Sequence, residues 1–331
     1  MQENTTMRSA TGRLYLWLLT AILLTALPLA AHGQGTASYL TTCNPRENRA
    51  DFDGDCKTDR STFNRSTGYW TSENSSNKGY VSFQFGQSGD IATPGDYDGD
   101  GKTDRAVFRP GSPSYWYIET DITTPSLFLS VQYGQSGDIP VARDYDGDNK
   151  ADVAVFRPST GYWHILKSST NTSSSVPWGQ TGDRVVPGDY DGDGKTDVAI
   201  FRPGSTYGVW WILKSSDGSH YSVQWGLTDD WPVQADYDGD NKTDLAIFRP
   251  STGTWWIVKS SDGSHYSMQW GQTGDRPVPG DYDGDGKADV AVQRPDTSGR
   301  WYIQKSAGGA WTEPFIYPEF PVPGGYLPPL Y

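Results

Sequence analysis

The 331-residue sequence predicts an all-β protein, a β-propeller of four-stranded blades. Three observations carry this reading. An acidic nine-residue motif, DxDxDxxxD, begins at Asp51, Asp96, Asp144, Asp189, Asp236 and Asp281, at intervals of 45, 48, 45, 47 and 45 residues. A fixed period in this range marks a chain built from one repeated supersecondary unit. Between motifs, short apolar runs are bounded by Gly, Pro, Ser and Asp, as strands joined by tight turns should be. Beyond residue 33, no stretch shows the apolar period of about 3.6 residues that an amphipathic helix needs.

The chain opens with a segment that reads as a leader. Arg8 and Arg13 precede the apolar run Leu14 to Leu29, and Ala30-Ala31-His32-Gly33 follows. This is the layout of a secretory signal peptide, residues 1–33, with cleavage near Gly33 or slightly earlier. The alternative is a retained anchor, but the run is short beside the roughly 20 residues a membrane span requires. No later segment is long and apolar enough to cross a bilayer. Export implies a secreted or cell-surface protein. Residues 34–50 form a lead-in, and residues 51–331 form the propeller.

Composition agrees with a β fold outside the cell. The chain has 38 Gly, 22 Pro, 14 Trp, 20 Tyr and 11 Phe, rich in turns and in aromatic residues. Its 27 basic and 40 acidic residues leave a net charge of -13 and no basic stripe, which excludes nucleic acid as a partner by bulk electrostatics. The two cysteines, Cys43 and Cys56, permit one disulfide in an oxidising compartment, two reduced thiols being the alternative.

Each unit reads as four strands. In the fourth copy these are Val185–Val186, which ends in the acidic loop, then Val198–Arg202, Val209–Lys214 and Tyr221–Trp225. The second strand is apolar in both phases, as in Val153-Ala154-Val155-Phe156, so both of its faces are covered. With no helices available to cover it, sheets stacked on sheets remain, and the repetition makes them blades. The paired aromatics of the third strand, such as Trp210-Trp211 and Trp255-Trp256, are expected to wedge between blades.

The ends predict a closed ring. Phe320-Pro321-Val322-Pro323-Gly324-Gly325-Tyr326 matches Arg276-Pro277-Val278-Pro279-Gly280-Asp281-Tyr282, so the C-terminus carries a spare first strand. The first unit lacks a clear apolar strand before its loop. A C-terminal strand completing the first blade accounts for both and removes exposed sheet edges. Six blades are counted; seven remain open if residues 34–50 hold further structure, and an open solenoid is the alternative to closure.

The acidic motif places carboxylates at positions 1, 3, 5 and 9, the first nine positions of an EF-hand-type Ca²⁺ loop. The expected ligands are Asp51, Asp53, Asp55 and Asp59 in the first copy, Asp96, Asp98, Asp100 and Asp104 in the second, and Asp144, Asp146, Asp148 and Asp152 in the third. Asp189, Asp191, Asp193 and Asp197 follow, then Asp236, Asp238, Asp240 and Asp244, then Asp281, Asp283, Asp285 and Asp289. Position 7 would add a backbone carbonyl, from Lys57, Lys102, Lys150, Lys195, Lys242 or Lys287. Position 12 is Val107 in the second copy, so the bidentate Glu of a helical EF-hand is missing and position 9 must coordinate directly. One such motif could be a solvated turn; six at constant phase are hard to explain that way. Position 6 is Gly101, Gly194 or Gly286, or Asn149 or Asn241, residues that tolerate a left-handed backbone; Cys56 does so less readily.

Charge supports about six structural Ca²⁺ ions. Without residues 1–33 the chain has 25 basic and 39 acidic residues, a net of -14, and the loops hold 24 of those acids. Six divalent ions would bring the net to -2. Without metal, each loop gathers four like charges, which is destabilising.

The phrase GDYDGDGKTDVAIFRP, residues 188–203, resembles the FG-GAP / VCBS-type repeats of integrin-alpha-like β-propellers. The resemblance covers essentially residues 44–331. It implies blades with Ca²⁺ loops on one face and supports the aspartates above as ligands. Relatives of this kind are adhesion domains, lectins or modules beside enzymes. The Phe-Gly of the name survives as Phe85-Gly86; Tyr133-Gly134, Trp178-Gly179, Trp225-Gly226 and Trp270-Gly271 replace it, and the blade count departs from seven.

Catalysis finds little support in the sequence. His220 and His265 occupy the same phase of neighbouring copies, which suits a structural or surface role, and His164 does not complete a Ser-His-Asp arrangement. Asp138, Asp183 and Asp275 recur in GQxGD turns and read as turn residues. Arg109, Arg157, Arg202, Arg249 and Arg294 recur at the end of the second strand, with Asn64 in the first copy, and are expected to bond or ion-pair between blades, the alternative being that they bind an anion or carboxylate ligand. Tyr69, Tyr162 and Tyr207, just after that strand, are candidates for a ligand-binding rim or for turn packing. The function expected is a calcium-stabilised binding or adhesion module for an extracellular glycan or protein, acting as a monomer. A structural repeat domain without its own ligand, and a cryptic polysaccharide-active enzyme, are the alternatives.

Overall fold

In a computed structural model, the described residues are 50–120, 128–295, 299–314 and 320–321. They form six four-stranded antiparallel sheets, with no helix among them. Five of the sheets are each one sequence repeat, the other joins the two ends of the repeat array, and the six close into a β-propeller. The described residues fall within one compact unit, Thr42–Tyr331; the other, Met1–Thr41, lies outside them.

The strands match the sequence reading with small shifts at their ends. In blade four the inner strand is Arg184–Val185, followed by Val198–Pro203, Tyr207–Leu213 and His220–Leu227. The third and outer strands begin earlier than expected, with a register shift between Tyr207 and Val209. The inner strands of blades two to six are only two residues long: Ile91–Ala92, Ile139–Pro140, Arg184–Val185, Trp231–Pro232 and Arg276–Pro277. Proline is tolerated there because an innermost strand pairs on one side only. These strands, and the loops they feed, surround the central axis.

Closure occurs as the repeated ends predict. Phe320–Pro321 pairs antiparallel with Arg60–Asn64, Phe63 opposite Phe320 and Thr62 opposite Pro321, and so supplies the inner strand of blade one. The sheet order in that blade runs Phe320–Pro321, Arg60–Asn64, Tyr69–Glu73, Tyr80–Gln84.

Burial follows strand position. The second strands are covered on both faces: Val198, Ala199, Ile200 and Phe201 are all buried. Third strands alternate, and outer strands are largely exposed, as in Ser173–Pro177. A Phe of the second strand meets a Trp of the third in each of the first five blades. The centroid distances are 4.9 Å for Phe63–Trp70, 5.3 Å for Phe108–Trp116, 5.5 Å for Phe156–Trp163, 5.5 Å for Phe201–Trp210 and 5.4 Å for Phe248–Trp255. These pairs share clusters with the next blade: Phe201 and Trp210 with Leu245 and Ile247, for example. Both tryptophans of a pair therefore lie between blades, the first in the cluster shared with the next blade and the second against the cluster of the preceding one. The second, Trp211 or Trp256, turns to the opposite face and is partly exposed. Blade six departs, with Gln293 in the Phe position, fully buried and with both side-chain polar atoms lacking a partner. Blades one and two also depart. Their second strands open with Arg60 and Arg105, buried and ion-paired to Glu73 and Glu119 where the other copies carry an apolar residue.

Candidate metal centres

The acidic loops lie between the inner and second strands at one end of every blade. Position 4 is always Gly, with φ between 79° and 84°. Position 6 is left-handed in all six copies: Cys56 at 69°, Gly101 at 85°, Asn149 at 65°, Gly194 at 89°, Asn241 at 65° and Gly286 at 86°. The sequence thus supplies Gly or Asn where φ is positive, and Cys56 is the strained exception. Its expected disulfide partner, Cys43, lies outside the described residues.

Two aspartates organise each loop. In the fourth copy, Asp189 Oδ1 accepts from the Gly192 N–H at 2.7 Å and its Oδ2 accepts from the Gly194 N–H at 2.9 Å. Asp197 Oδ2 accepts from the Tyr190 N–H at 2.9 Å, and its Oδ1 from the Ser215 N–H at 2.6 Å. The Tyr190 hydroxyl donates to the Val186 carbonyl at 2.7 Å, pinning the loop to its own inner strand; Tyr97, Tyr145, Tyr237 and Tyr282 do the same.

Carboxylates from positions 1, 3 and 9 converge. One oxygen each from Asp51, Asp53 and Asp59 lies within 4.8 Å of the others, and the same holds for Asp96, Asp98 and Asp104, for Asp144, Asp146 and Asp152, for Asp189, Asp191 and Asp197, and for Asp236, Asp238 and Asp244. Position 5 stands outside these sets. Asp193 Oδ1 instead accepts from the Lys195 N–H at 2.8 Å and the Ser215 hydroxyl at 2.9 Å. Its counterparts Asp55, Asp148 and Asp240 are held in the same way.

The electrostatics of this convergence are unfavourable without a cation. Burial, reinforced by the neighbouring carboxylates, raises Asp51 to about 6, Asp59 to about 7 and Asp104 to about 8. Asp152, Asp197 and Asp289 rise to about 6 and Asp244 to about 7 from the same leading cause. In loops two to five, no Lys or Arg among the described residues pairs with these groups. Asp146 Oδ1, Asp238 Oδ1 and Asp283 Oδ1 are buried with no hydrogen-bond partner. Buried carboxylate oxygens left open beside two further carboxylates fit a hard cation that takes several oxygens, and the all-oxygen donor set favours Ca²⁺ over softer metals.

The sequence reading missed one part of these centres, a pair of serines in the turn between third and outer strands. Ser216 Oγ donates to Asp191 Oδ2 at 2.5 Å, and Ser76, Ser169 and Ser261 reach the equivalent Asp53, Asp146 and Asp238 at 2.6 Å. The signal was present: Ser75-Ser76, Ser168-Ser169, Ser215-Ser216 and Ser260-Ser261 each begin two residues past the end of a third strand.

The six loops are joined in a ring. Position 8 of each donates its N–H to the position 1 carbonyl of the preceding loop: Thr103 to Asp51, Ala151 to Asp96, Thr196 to Asp144, Thr243 to Asp189 and Ala288 to Asp236. Thr58 donates to Asp281 at 2.7 Å and closes the circle. The lysines of position 7 follow the same path. The Lys242 chain lies across Gly192, where an added Cβ would approach it to 2.8 Å, and Lys57 lies across Gly284. Position 4 is Gly both for its backbone and for this crossing.

The opposite end of each blade holds the other recurrent aspartates. Arg202 Nε and Nη2 each donate to Asp183, both at 2.8 Å, and Asp183 Oδ2 also accepts from the Gln180 N–H. Arg109–Asp90, Arg157–Asp138, Arg249–Asp230 and Arg294–Asp275 repeat the bidentate pair. Both partners belong to one sheet, so the expectation of pairing between blades is corrected. The Asp ends the connection arriving from the previous blade, and the Arg clamps it to the next. Asp138, Asp183 and Asp275 are turn residues, as read, with this further role.

Tyr69, Tyr162 and Tyr207 lie at this clamped end, each at the start of a third strand on blades one, three and four, and are 42%, 39% and 53% exposed. Each is a separate position on its own blade. His220 and His265 rest edge-on against Trp178 and Trp225 of the preceding blade, both at 5.4 Å. His164 Nδ1 meets Ser175 Oγ at 2.8 Å.

Fold and loops together define a six-bladed β-propeller with one acidic loop in each blade. The FG-GAP-like repeat model matches residues 144–200 and 236–292, each match running from one acidic loop through the next. No curated protein matches it. Among solved structures, similarity extends to a lectin from Agrocybe aegerita described as recognising non-reducing terminal N-acetylglucosamine. That match has 13% identity and a TM-score of 0.48, and covers 80% of this chain and 94% of the lectin. Apo AztD from Citrobacter koseri matches at 7% identity and a TM-score of 0.42, covering 80% and 96% of the two chains. The dihydro-heme d1 dehydrogenase NirN matches at 13% identity and 0.42, covering 81% and 61%. At such identities and scores, none of these bears on what this chain binds.

Proposed function

We propose that this chain is an exported β-propeller whose acidic loops bind about six structural Ca²⁺ ions and whose ring serves as a binding module for an extracellular glycan or protein. The observation that carries the metal half is the convergence of three carboxylates in successive loops, with carboxylate oxygens of Asp146, Asp238 and Asp283 buried and open. Positions 1, 3 and 9 would hold the ion, with position 5 and the position 7 carbonyl completing the set. Bound Ca²⁺ supplies positive charge that offsets carboxylate repulsion. The chain's own groups do the rest: backbone N–H groups orient positions 1 and 9, and the paired serines orient positions 3 and 5. A Cys43–Cys56 disulfide would hold the first loop, where Cys56 is left-handed. Residues 1–33 would direct export.

The binding half rests on the exposed Tyr69, Tyr162 and Tyr207 at the clamped end, whose rings can stack on sugars while their hydroxyls hydrogen-bond. Metal analysis of dialysed protein should return about six Ca²⁺ per chain, and a glycan array run with and without Ca²⁺ should give binding to a few glycans that depends on the ion. Tyr162→Ala should weaken that binding while leaving the Ca²⁺ content unchanged. A silent array with full Ca²⁺ loading would exclude the glycan and leave a protein ligand; protein that binds no Ca²⁺ would overturn the metal half.

A further inference from the structure

The inner strands break the charge pattern of the chain. Residues 91–95, 139–143, 184–188, 231–235 and 276–280 run from the clamp to the loops and hold three arginines, Arg143, Arg184 and Arg276, but no acidic residue, in a sequence with 40 acids. Arg143 is the unusual one. It stands immediately before a loop, where the other copies have Ala50, Gly95, Gly188, Ala235 and Gly280. One blade alone therefore places a long cationic side chain at a position that is otherwise small around the whole ring.

Its surroundings do not satisfy it. Tyr97, Tyr145 and Tyr190, from three successive blades, lie close enough to act on the guanidinium electrostatically. Their hydroxyls already donate to the carbonyls of Thr93, Val141 and Val186. Arg143 Nη1 donates to the Ala142 carbonyl at 2.9 Å, and no carboxylate among the described residues pairs with the group. A guanidinium has five N–H donors. Arg143 is partly exposed, and none of its nitrogens is among the buried side-chain atoms left without a partner, so its other donors are open to solvent. A second departure lies in the same corner. Thr93, whose carbonyl anchors Tyr97, carries a buried hydroxyl with no partner, where the other described copies have Val141, Val186, Val233 and Val278.

We infer that Arg143, among Tyr97, Tyr145 and Tyr190, binds a small monovalent carboxylate. A carboxylate matches the planar fork of a guanidinium with two parallel hydrogen bonds. One cation in an apolar and aromatic setting suits one negative charge; a dianion beside a ring of acidic loops would meet more repulsion than a single arginine offsets. The site is separate from the exposed tyrosines and does not depend on what they bind.

The test uses the Ca²⁺-saturated full chain, titrated with sodium acetate against sodium chloride at matched ionic strength. The Arg143 Nε–Hε resonance, assigned by its loss in Arg143→Ala, should shift and saturate with acetate and not with chloride. Glucuronate and N-acetylglycinate then ask whether a sugar acid or a peptide-type carboxylate is preferred over acetate. Arg143→Ala restores the residue of two other copies and should fold with unchanged Ca²⁺ content, while acetate protection against thermal unfolding weakens roughly tenfold in apparent affinity. An equal response to chloride, or acetate protection that persists in Arg143→Ala, would overturn the inference.

Discussion

The two ends of blades two to six hold aspartates under opposite conditions. At the clamped end, Asp183 is buried against Arg202, which meets both of its oxygens, and the turn N–H completes the set. At the loop end, Asp189, Asp191 and Asp197 face one another with backbone N–H groups and serine hydroxyls but no basic side chain. The same residue type is self-sufficient in one place and incomplete in the other. The difference, taken with the Ca²⁺ proposed above, gives a propeller fastened by two chemistries: one built wholly from its own side chains, the other completed by an ion. They should fail under different conditions.

Removing the ion is the largest way to separate them. Each site at a hundredfold excess of ion over Kd contributes about 2.7 kcal/mol. Excess EGTA should therefore lower the Tm by on the order of 20 °C, followed by calorimetry, and restoring Ca²⁺ should reverse it. An unchanged melt would show the loops to be solvated turns. Next in size, Arg202→Ala leaves Asp183 buried without its partner and should cost about 3 kcal/mol in denaturant unfolding. The loss should be similar with and without EGTA; a loss seen in Ca²⁺ alone would mean that clamp and loop are one system. The smallest expected effect is in pH. An unfolded Asp titrates near 3.8, whereas Asp152, Asp197 and Asp289 keep their proton to about 6, Asp59 and Asp244 to about 7, and Asp104 to about 8 in the fold. In that window the folded state binds more protons than the unfolded one, so the metal-free protein should lose stability as pH rises. Solvent at the loop rim screens the effect to about a few degrees. With Ca²⁺ present the slope should reverse, because protons then compete with the ion.

Much of this was legible in the sequence because each unit repeats its own local rules. The motif phase located the loops, Gly and Asn at position 6 announced a left-handed turn, and the match of Phe320–Pro321 to Arg276–Pro277 announced closure. What escaped was non-local. Ser216 meets Asp191 across 25 residues, through the full length of a hairpin, and no local pattern links them. The Arg202–Asp183 pair was half visible, since both residues recur at a constant separation of 19, but the sequence did not say whether the partner lay within the blade or across it. Arg143 went unremarked because a search for repetition passes over what occurs once.

The hydrogen bond from Thr58 to Asp281 has a consequence for ancestry. In an open array, a repeat gained or lost yields a longer or shorter protein of the same kind. Here the sixth loop hands its contact back to the first, so one copy more or fewer must break that contact and re-form it with every inter-blade angle changed. Individual copies are free to drift, as Gln293 and Cys56 have, while their number is held by the circle itself. Lineages descended from this chain should differ in their blades far more readily than in how many they have.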